Sequence, residues 1–142
     1  MDWITVDKAR VLGALSANQR QLYEGWIIRY PEKATRVDDI ISNLVMEFRA
    51  AIEANPQNYL DPDLSKLPQS CVRYCETLIL FDLCSEMGAE ISDAEMMAIS
   101  KAEVFLRMMF TGSFYITGGD ASKVPSPSYE PSVVRQARSV DG

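Results

Sequence analysis

The stretch "TRVDDIISNLVMEFRAAIE", residues 35–53, decides the fold. Its apolar side chains recur every three or four residues, the spacing that places them on one side of an α-helix. Thr35 is a suitable N-terminal cap, and Asp38 and Asp39 suit the positive end of the helix dipole. The pattern predicts a long core helix. Its apolar side comprises Val37, Ile40, Ile41, Leu44, Val45, Phe48, Ala51 and Ile52.

Two shorter helices are predicted before this one. Residues 4–15 have an apolar residue at most helical turns, and Thr5 is the expected cap. The segment "SANQ" then places Ser16 and Gln19 at the spacing of a capping box, which predicts a second helix reaching about residue 30. The segment "YPEKAT" separates it from the long helix.

A proline-rich loop follows the long helix. Residues 55–68, "NPQNYLDPDLSKLP", contain three prolines and several Asn and Asp residues that favour turns. Pro68 suits the first turn of a fourth helix that ends at Gly88. Residues 78–84 are apolar on nearly every side, so we expect neighbouring elements to enclose this helix.

A fifth helix is predicted to begin at "SDAE", where Ser92 and Glu95 have capping-box spacing, and to run toward Gly112. Methionines at these spacings most often belong to a core. They also suit surfaces that accommodate a partner, which makes the Met108 and Met109 pair a candidate interface. The expected inward residues are Met97, Ala98, Lys101, Ala102, Phe105, Met108 and Met109.

Gly112 suits a left-handed residue at the end of this helix. Phe114, Tyr115 and Ile116 should then leave as a short strand, the only one predicted in the chain. A lone strand has unpaired N–H and C=O groups, so we predict that a neighbouring polypeptide pairs with it.

From residue 117 the chain is rich in Gly, Ser and Pro and has no helical period, which predicts an extended arm. One interpretation is a frayed terminus. The other is a tail that binds an extended surface through separate apolar side chains: Val124, Tyr129, Val133 and Val134. The predicted organisation is therefore all-α, a small five-helix bundle over residues 1–112, a short C-terminal strand over 113–117 and an extended arm over 118–142.

Composition restricts the function. The chain has 142 residues, 47% of them hydrophobic, and a net charge of −6, which is typical of one soluble domain without general affinity for nucleic acid. No membrane association is expected. The N-terminal "MDWITVDKAR" lacks a basic segment followed by an apolar run, so we expect no signal peptide and synthesis in the cytoplasm.

No constellation for catalysis is recognisable. The chain has no histidine, no phosphate-binding glycine loop and no nucleophile elbow, so we predict that it is not an enzyme and binds no cofactor. Cys71 and Cys75 lie one helical turn apart, but a zinc site would lack its remaining ligands. We interpret these residues and Cys84 as reduced core cysteines.

One alternative is a cytosolic helical regulatory module that binds DNA through residues 5–30, since two short helices there have the order of a helix-turn-helix. The second helix of that pair has only Arg20 and Arg29 as basic residues, with Glu24 between them. Trp26 and Ile27 also suit a core better than a DNA groove.

The succession of features resembles the head-to-tail connector proteins of long-tailed bacteriophages, also called adaptor or head completion proteins. The resemblance covers residues 3 to about 117. It depends on "WIT", "LSANQRQLY", "VMEFRAAI" with Arg49, "LPQSCVRYCETLIL" with Pro68, Arg73 and Tyr74, and "KAEVFLRMMFTGSFYI". The long arm, and cysteines 71 and 75 in place of expected alanines, depart from the family pattern.

The resemblance implies a virion structural protein at the head-tail junction, present in the host cytoplasm before assembly. Its implied partners are other copies of itself in a ring of about twelve subunits, the portal protein and the next neck or tail-completion protein, with DNA only as passing cargo. The implied subunit-interface residues are Met108, Met109, Gly112, Phe114, Tyr115 and Ile116. The implied portal-binding residues are Val124, Tyr129, Val133, Val134, Arg135 and Arg138.

Overall fold

The computed structural model describes residues 2–116, which form five α-helices and two short strands. The predicted all-α, five-helix bundle is confirmed. A 3-10 helix, Pro31–Thr35, joins the second helix to the third. The α-helices are α1 (Lys8–Gly13), α2 (Ala17–Arg29), α3 (Arg36–Glu53), α4 (Gln69–Met87) and α5 (Asp93–Met109). The strands are β1 (Trp3–Thr5) and β2 (Lys66–Pro68).

Local sequence signals set most of the helix ends. Both predicted capping boxes form: Ser16 Oγ accepts from the N–H of Gln19 at 3.2 Å, and Ser92 Oγ accepts from the N–H of Glu95 at 3.1 Å. Gly88 ends α4 in the left-handed conformation, with φ +73°. Thr35 stands at the cap position of α3, but its side chain makes no capping bond because the 3-10 helix leads directly into α3.

The core lies between α3, α4 and α5. The predicted apolar side of α3 is buried, with Phe48 fully inaccessible to solvent, and only Ile41 of that side is partly exposed. α4 packs against both α3 and α5, as its apolar second half predicts. Its three cysteines are buried and free, in agreement with their interpretation as core residues. Burial is the main cause that raises the pKa of the Cys71 thiol to about 12, so this thiol is unreactive at neutral pH.

The prediction of no strand before residue 113 is wrong. β1 and β2 pair antiparallel, with Ile4 opposite Leu67. Asp7 caps α1 in place of Thr5 by accepting from the N–H of Ala9 at 3.3 Å, so the first helix begins later than expected. The β-branched residues Ile4 and Thr5, which precede α1, pair instead with the end of the proline-rich loop, where Leu67 is fully buried.

Within residues 2–116, no helix combines the length and the apolar character needed to cross a membrane.

Candidate subunit interface

The chain turns sharply after α5. The main-chain oxygen of Met108 accepts from the hydroxyls of Thr111, at 2.6 Å, and Ser113, at 3.2 Å. Gly112 has φ +82°, which confirms the predicted left-handed residue. A Cβ at that position would lie 3.1 Å from the main-chain oxygen of Ala54, so the end of α3 also restricts the position to glycine. The turn directs the following residues back toward the body.

Residues 113–116 form no strand, and two of their backbone groups, the oxygen of Phe114 and the N–H of Ile116, are paired within the chain. The carboxamide of Asn58 donates to the oxygen of Phe114 at 2.9 Å and accepts from the N–H of Ile116 at 2.9 Å. Asn55 also donates to the Phe114 oxygen, at 3.3 Å. The expectation of an unpaired edge is therefore wrong at these groups. Residue 117, the last of the predicted strand, lies outside the described residues.

A buried arginine holds the loop that contains Asn58. Arg49, only 7% exposed, donates from α3 to the main-chain oxygens of Asp61, Asp63 and Lys66. Its guanidinium lies 5.3 Å from the ring centre of Trp3 in β1. Because one cation satisfies three carbonyl groups, the loop has a defined path. Arg49 thus positions the loop that secures the C-terminal segment.

The side chains after Gly112 pack on their own body to different extents. Phe105 stacks on Tyr74 with ring centres 4.3 Å apart, and Phe114 meets the edge of Phe105 at 5.7 Å. Ile116 is only 3% exposed. Phe114 and Tyr115 are half-buried. Two of the predicted interface residues, Met109 and Ile116, therefore belong to the hydrophobic core. Removing these apolar side chains from water favours their burial.

α5 is apolar on two opposite sides. Its buried side comprises Ile99, Ala102, Leu106 and Met109. With about 100° per residue, Met97, Val104 and Met108 fall within about 40° of one another and roughly 160° from the centre of the buried side. These three side chains are 64%, 56% and 46% exposed. The expectation that Met97, Ala98, Lys101 and Met108 face inward is wrong, because all four are exposed and α3 and α4 cover only the opposite side of α5.

We call Met97, Val104 and Met108 the outer stripe. Half of the large apolar side chains that are exposed in residues 2–116 belong to α5 or to Phe110, which follows it. Scattered exposed apolar residues are ordinary, but a line of them along one helix, opposite its buried side, is typical of a contact surface. Lys101 borders the outer stripe and is exposed. The outer stripe was missed because the sequence pattern does not distinguish the two apolar sides of α5.

Most of the basic side chains in residues 5–30, the region proposed for DNA binding, contact other groups of the same chain. Lys8 pairs with Asp38 at 3.5 Å, and Arg10 pairs with Glu76 at 3.0 Å. Arg20 donates to the main-chain oxygen of Leu12 at 2.7 Å. The DNA-binding alternative for residues 5–30 thus gains no support from the positions of these groups.

The predicted portal-binding residues Val124, Tyr129, Val133, Val134, Arg135 and Arg138 lie outside the described residues. In the part of the chain from Asp2 to Ile116, no three acidic or cysteine side chains are grouped closely enough to hold a metal ion. Comparison of the chain with protein-family models, curated proteins and solved structures gives no match.

Proposed function

We propose that the protein is a virion head-tail connector whose copies assemble into a ring below the portal. The ring completes the head and provides the docking platform for the next neck or tail protein. The order of sequence features supports the family assignment, and the outer stripe of α5 supports the ring. A helix that is apolar on a side its own domain leaves open suits contact with another copy of the chain.

The proposed contact is heterologous: the outer stripe of one subunit meets a different surface of the next, which closes into a ring when the rotation permits. Met108, Phe114 and Tyr115 remain the predicted residues that reach the neighbour. Met109, Gly112 and Ile116 act indirectly, by fixing the turn from which the segment leaves.

The size of the stripe indicates how the ring forms. Burying the exposed halves of three such side chains contributes about 2–4 kcal/mol. Association costs about 4–15 kcal/mol in lost freedom of motion, so this contact alone does not hold two free subunits together. Binding to the portal brings subunits to high local concentration, where weak contacts suffice. We therefore expect a monomer in dilute solution and a ring on the portal.

Replacing Val104 by arginine tests the proposal. The substitution Val104→Arg places a charge in the outer stripe, and we expect the protein to stay folded and to be lost from heads isolated by sedimentation. The matched control is Met46→Arg on α3, because both side chains are 56% exposed and both substitutions add the same charge. Copies of the protein per head are counted by quantitative mass spectrometry.

Retention of Val104→Arg in heads at the wild-type level would refute the role of the outer stripe. Equal loss of both variants would assign the effect to charge alone. Absence of the wild-type protein from heads would refute the connector function itself.

A further inference from the structure

A second apolar surface lies between α3, α4 and α5, away from the outer stripe. It is a groove of about 390 Å³. Leu44, Leu78 and Leu106, one from each helix, line it and are each less than 9% exposed. Phe110 also lines the groove and is 46% exposed. The groove thus has an apolar floor and an aromatic ring at its border.

Carboxylates surround this apolar floor. Glu47, Asp82 and Glu103 line the groove, with Arg107 as the one basic residue among its lining groups, so its net charge is −2. Burial and then repulsion from Glu47, Glu86 and Glu103 raise the pKa of the Asp82 carboxyl, an effect that Arg36 opposes. A cation bound here would relieve this repulsion.

The chain has one segment beyond the described residues that matches the groove in both respects. "SVVRQAR", residues 132–138, places two adjacent valines directly before Arg135, with Arg138 three residues further on, and contains no acidic residue. Its charge of +2 is opposite to that of the groove. Elsewhere in residues 117–142, the third basic residue, Lys123, lies three residues after Asp120.

We infer that the groove between α3, α4 and α5 binds residues 132–138 of the same chain, with Val133 and Val134 on the apolar floor and Arg135 and Arg138 at the carboxylates. In the free protein this contact holds the arm against the body. The portal then competes for the same segment, so the groove delays arm release until the portal is present. The groove contact itself does not depend on the proposed function.

The chain is long enough for this contact. Sixteen residues, 117–132, separate Ile116 from Val133 and span up to about 55 Å. A domain of this size has a radius of gyration of about 13 Å, so every part of its surface is within reach. A tether of this length gives an effective concentration of about the millimolar range. At this effective concentration, a groove contact with a dissociation constant in the millimolar range is about half occupied. The arm of a second copy would compete only when the protein concentration itself reached the millimolar range.

The test uses the full-length protein with Ser139→Cys labelled by a nitroxide. The native cysteines are buried, so the label attaches selectively. We expect paramagnetic broadening of the Leu44, Leu78 and Leu106 methyl signals in NMR spectra and none at Val11 of α1. The double variant Arg135→Glu/Arg138→Glu weakens binding about tenfold, so occupancy falls from about one half to about a tenth.

Lys123→Glu is the matched control, since it changes an arm charge outside the segment and should preserve the broadening. On the groove side, Glu103→Gln should reduce it. Absence of selective broadening, or its persistence in the double arginine variant, would overturn the inference. A further control mixes, at micromolar concentration, molecules whose methyl signals are observed with other molecules that carry the nitroxide. Equal broadening in this mixture would also overturn the inference, because the occupant of the groove would then be another copy.

Discussion

Asn58 has a role that a residue of a neighbouring strand would otherwise have. Its carboxamide pairs with an N–H and a C=O two residues apart, which is how a strand edge is satisfied in a sheet. The same Nδ2 atom donates to the oxygen of Ile52 at 3.0 Å, which ties the side chain to the end of α3. An Asn in a proline-rich loop predicts only a turn from sequence, because its distant partners depend on how the chain folds.

Replacing Asn58 by alanine should lower the free energy of unfolding by about 1–3 kcal/mol, because partly buried backbone groups of Phe114 and Ile116 lose their partner. Urea denaturation followed by circular dichroism measures this loss. Asn43→Ala on the exposed side of α3 is the control, and its effect should be near zero. A loss below 0.5 kcal/mol for Asn58→Ala, a threshold of about the size of ordinary surface substitutions, would contradict the assigned role.

Two glycines with positive φ allow a comparison of conformation with packing. Gly88→Ala has only the cost of the left-handed conformation, about 1–2 kcal/mol, since nothing lies within 4 Å of the added Cβ. Gly112→Ala has the same cost and also brings the Cβ to 3.1 Å from the Ala54 oxygen. We therefore expect Gly112→Ala to be the more destabilising in thermal unfolding. The reverse order would show that the end of α3 moves freely to accept the methyl group.

At the scale of elements, the starts of α2 and α5 are linked to each other. Gln19 is only 6% exposed, and its Nε2 donates to both carboxylate oxygens of Glu95, at 3.3 and 3.2 Å, and to the oxygen of Glu90 at 3.1 Å. Gln19 and Glu95 each belong to a capping box of their own helix. The sequence predicts the two boxes separately, but their contact depends on the packing of the bundle.

The linked caps predict a pH dependence. Hydrogen bonding from the Ser92 N–H, and then from Gln19, lowers the pKa of Glu95 below its ordinary value of 4.5. A lowered pKa in the folded state means that the ionised carboxylate stabilises the fold above about pH 4.5 and that this contribution is lost as pH falls through the folded pKa. The urea midpoint of the wild type should exceed that of Glu95→Gln at pH 7, and the two midpoints should converge as the pH falls through the folded pKa of Glu95. A difference independent of pH would contradict this.

The helices were predictable to different degrees for a physical reason. α3 has one apolar side, so its period alone identifies the buried residues. α5 has two apolar sides. Whether Ile99 or Met97 faces inward depends on how α5 packs against α3 and α4, whose residues lie roughly 20 to 60 positions earlier in the sequence. β1 is only three residues long, too short for its period to distinguish a strand from a helical turn.

At the scale of the whole molecule, the domain presents two unlike apolar surfaces: the outer stripe and the acidic groove. We propose that the outer stripe contacts the neighbouring subunit and that the acidic groove binds the arm. The residues on which portal attachment is predicted lie in that arm, outside residues 2–116. The succession of features in the sequence suggested that the protein forms an assembly. Only the packing of the helices distinguishes the exposed side of α5, which a neighbour can contact, from the buried side.

Cryo-electron microscopy of the head-tail junction in complete particles tests the ring most directly. We predict a closed ring of this protein below the portal, with Met97, Val104 and Met108 of each subunit covered by the next. A ring in which this side of α5 faces solvent, or a junction that lacks the protein, would contradict it.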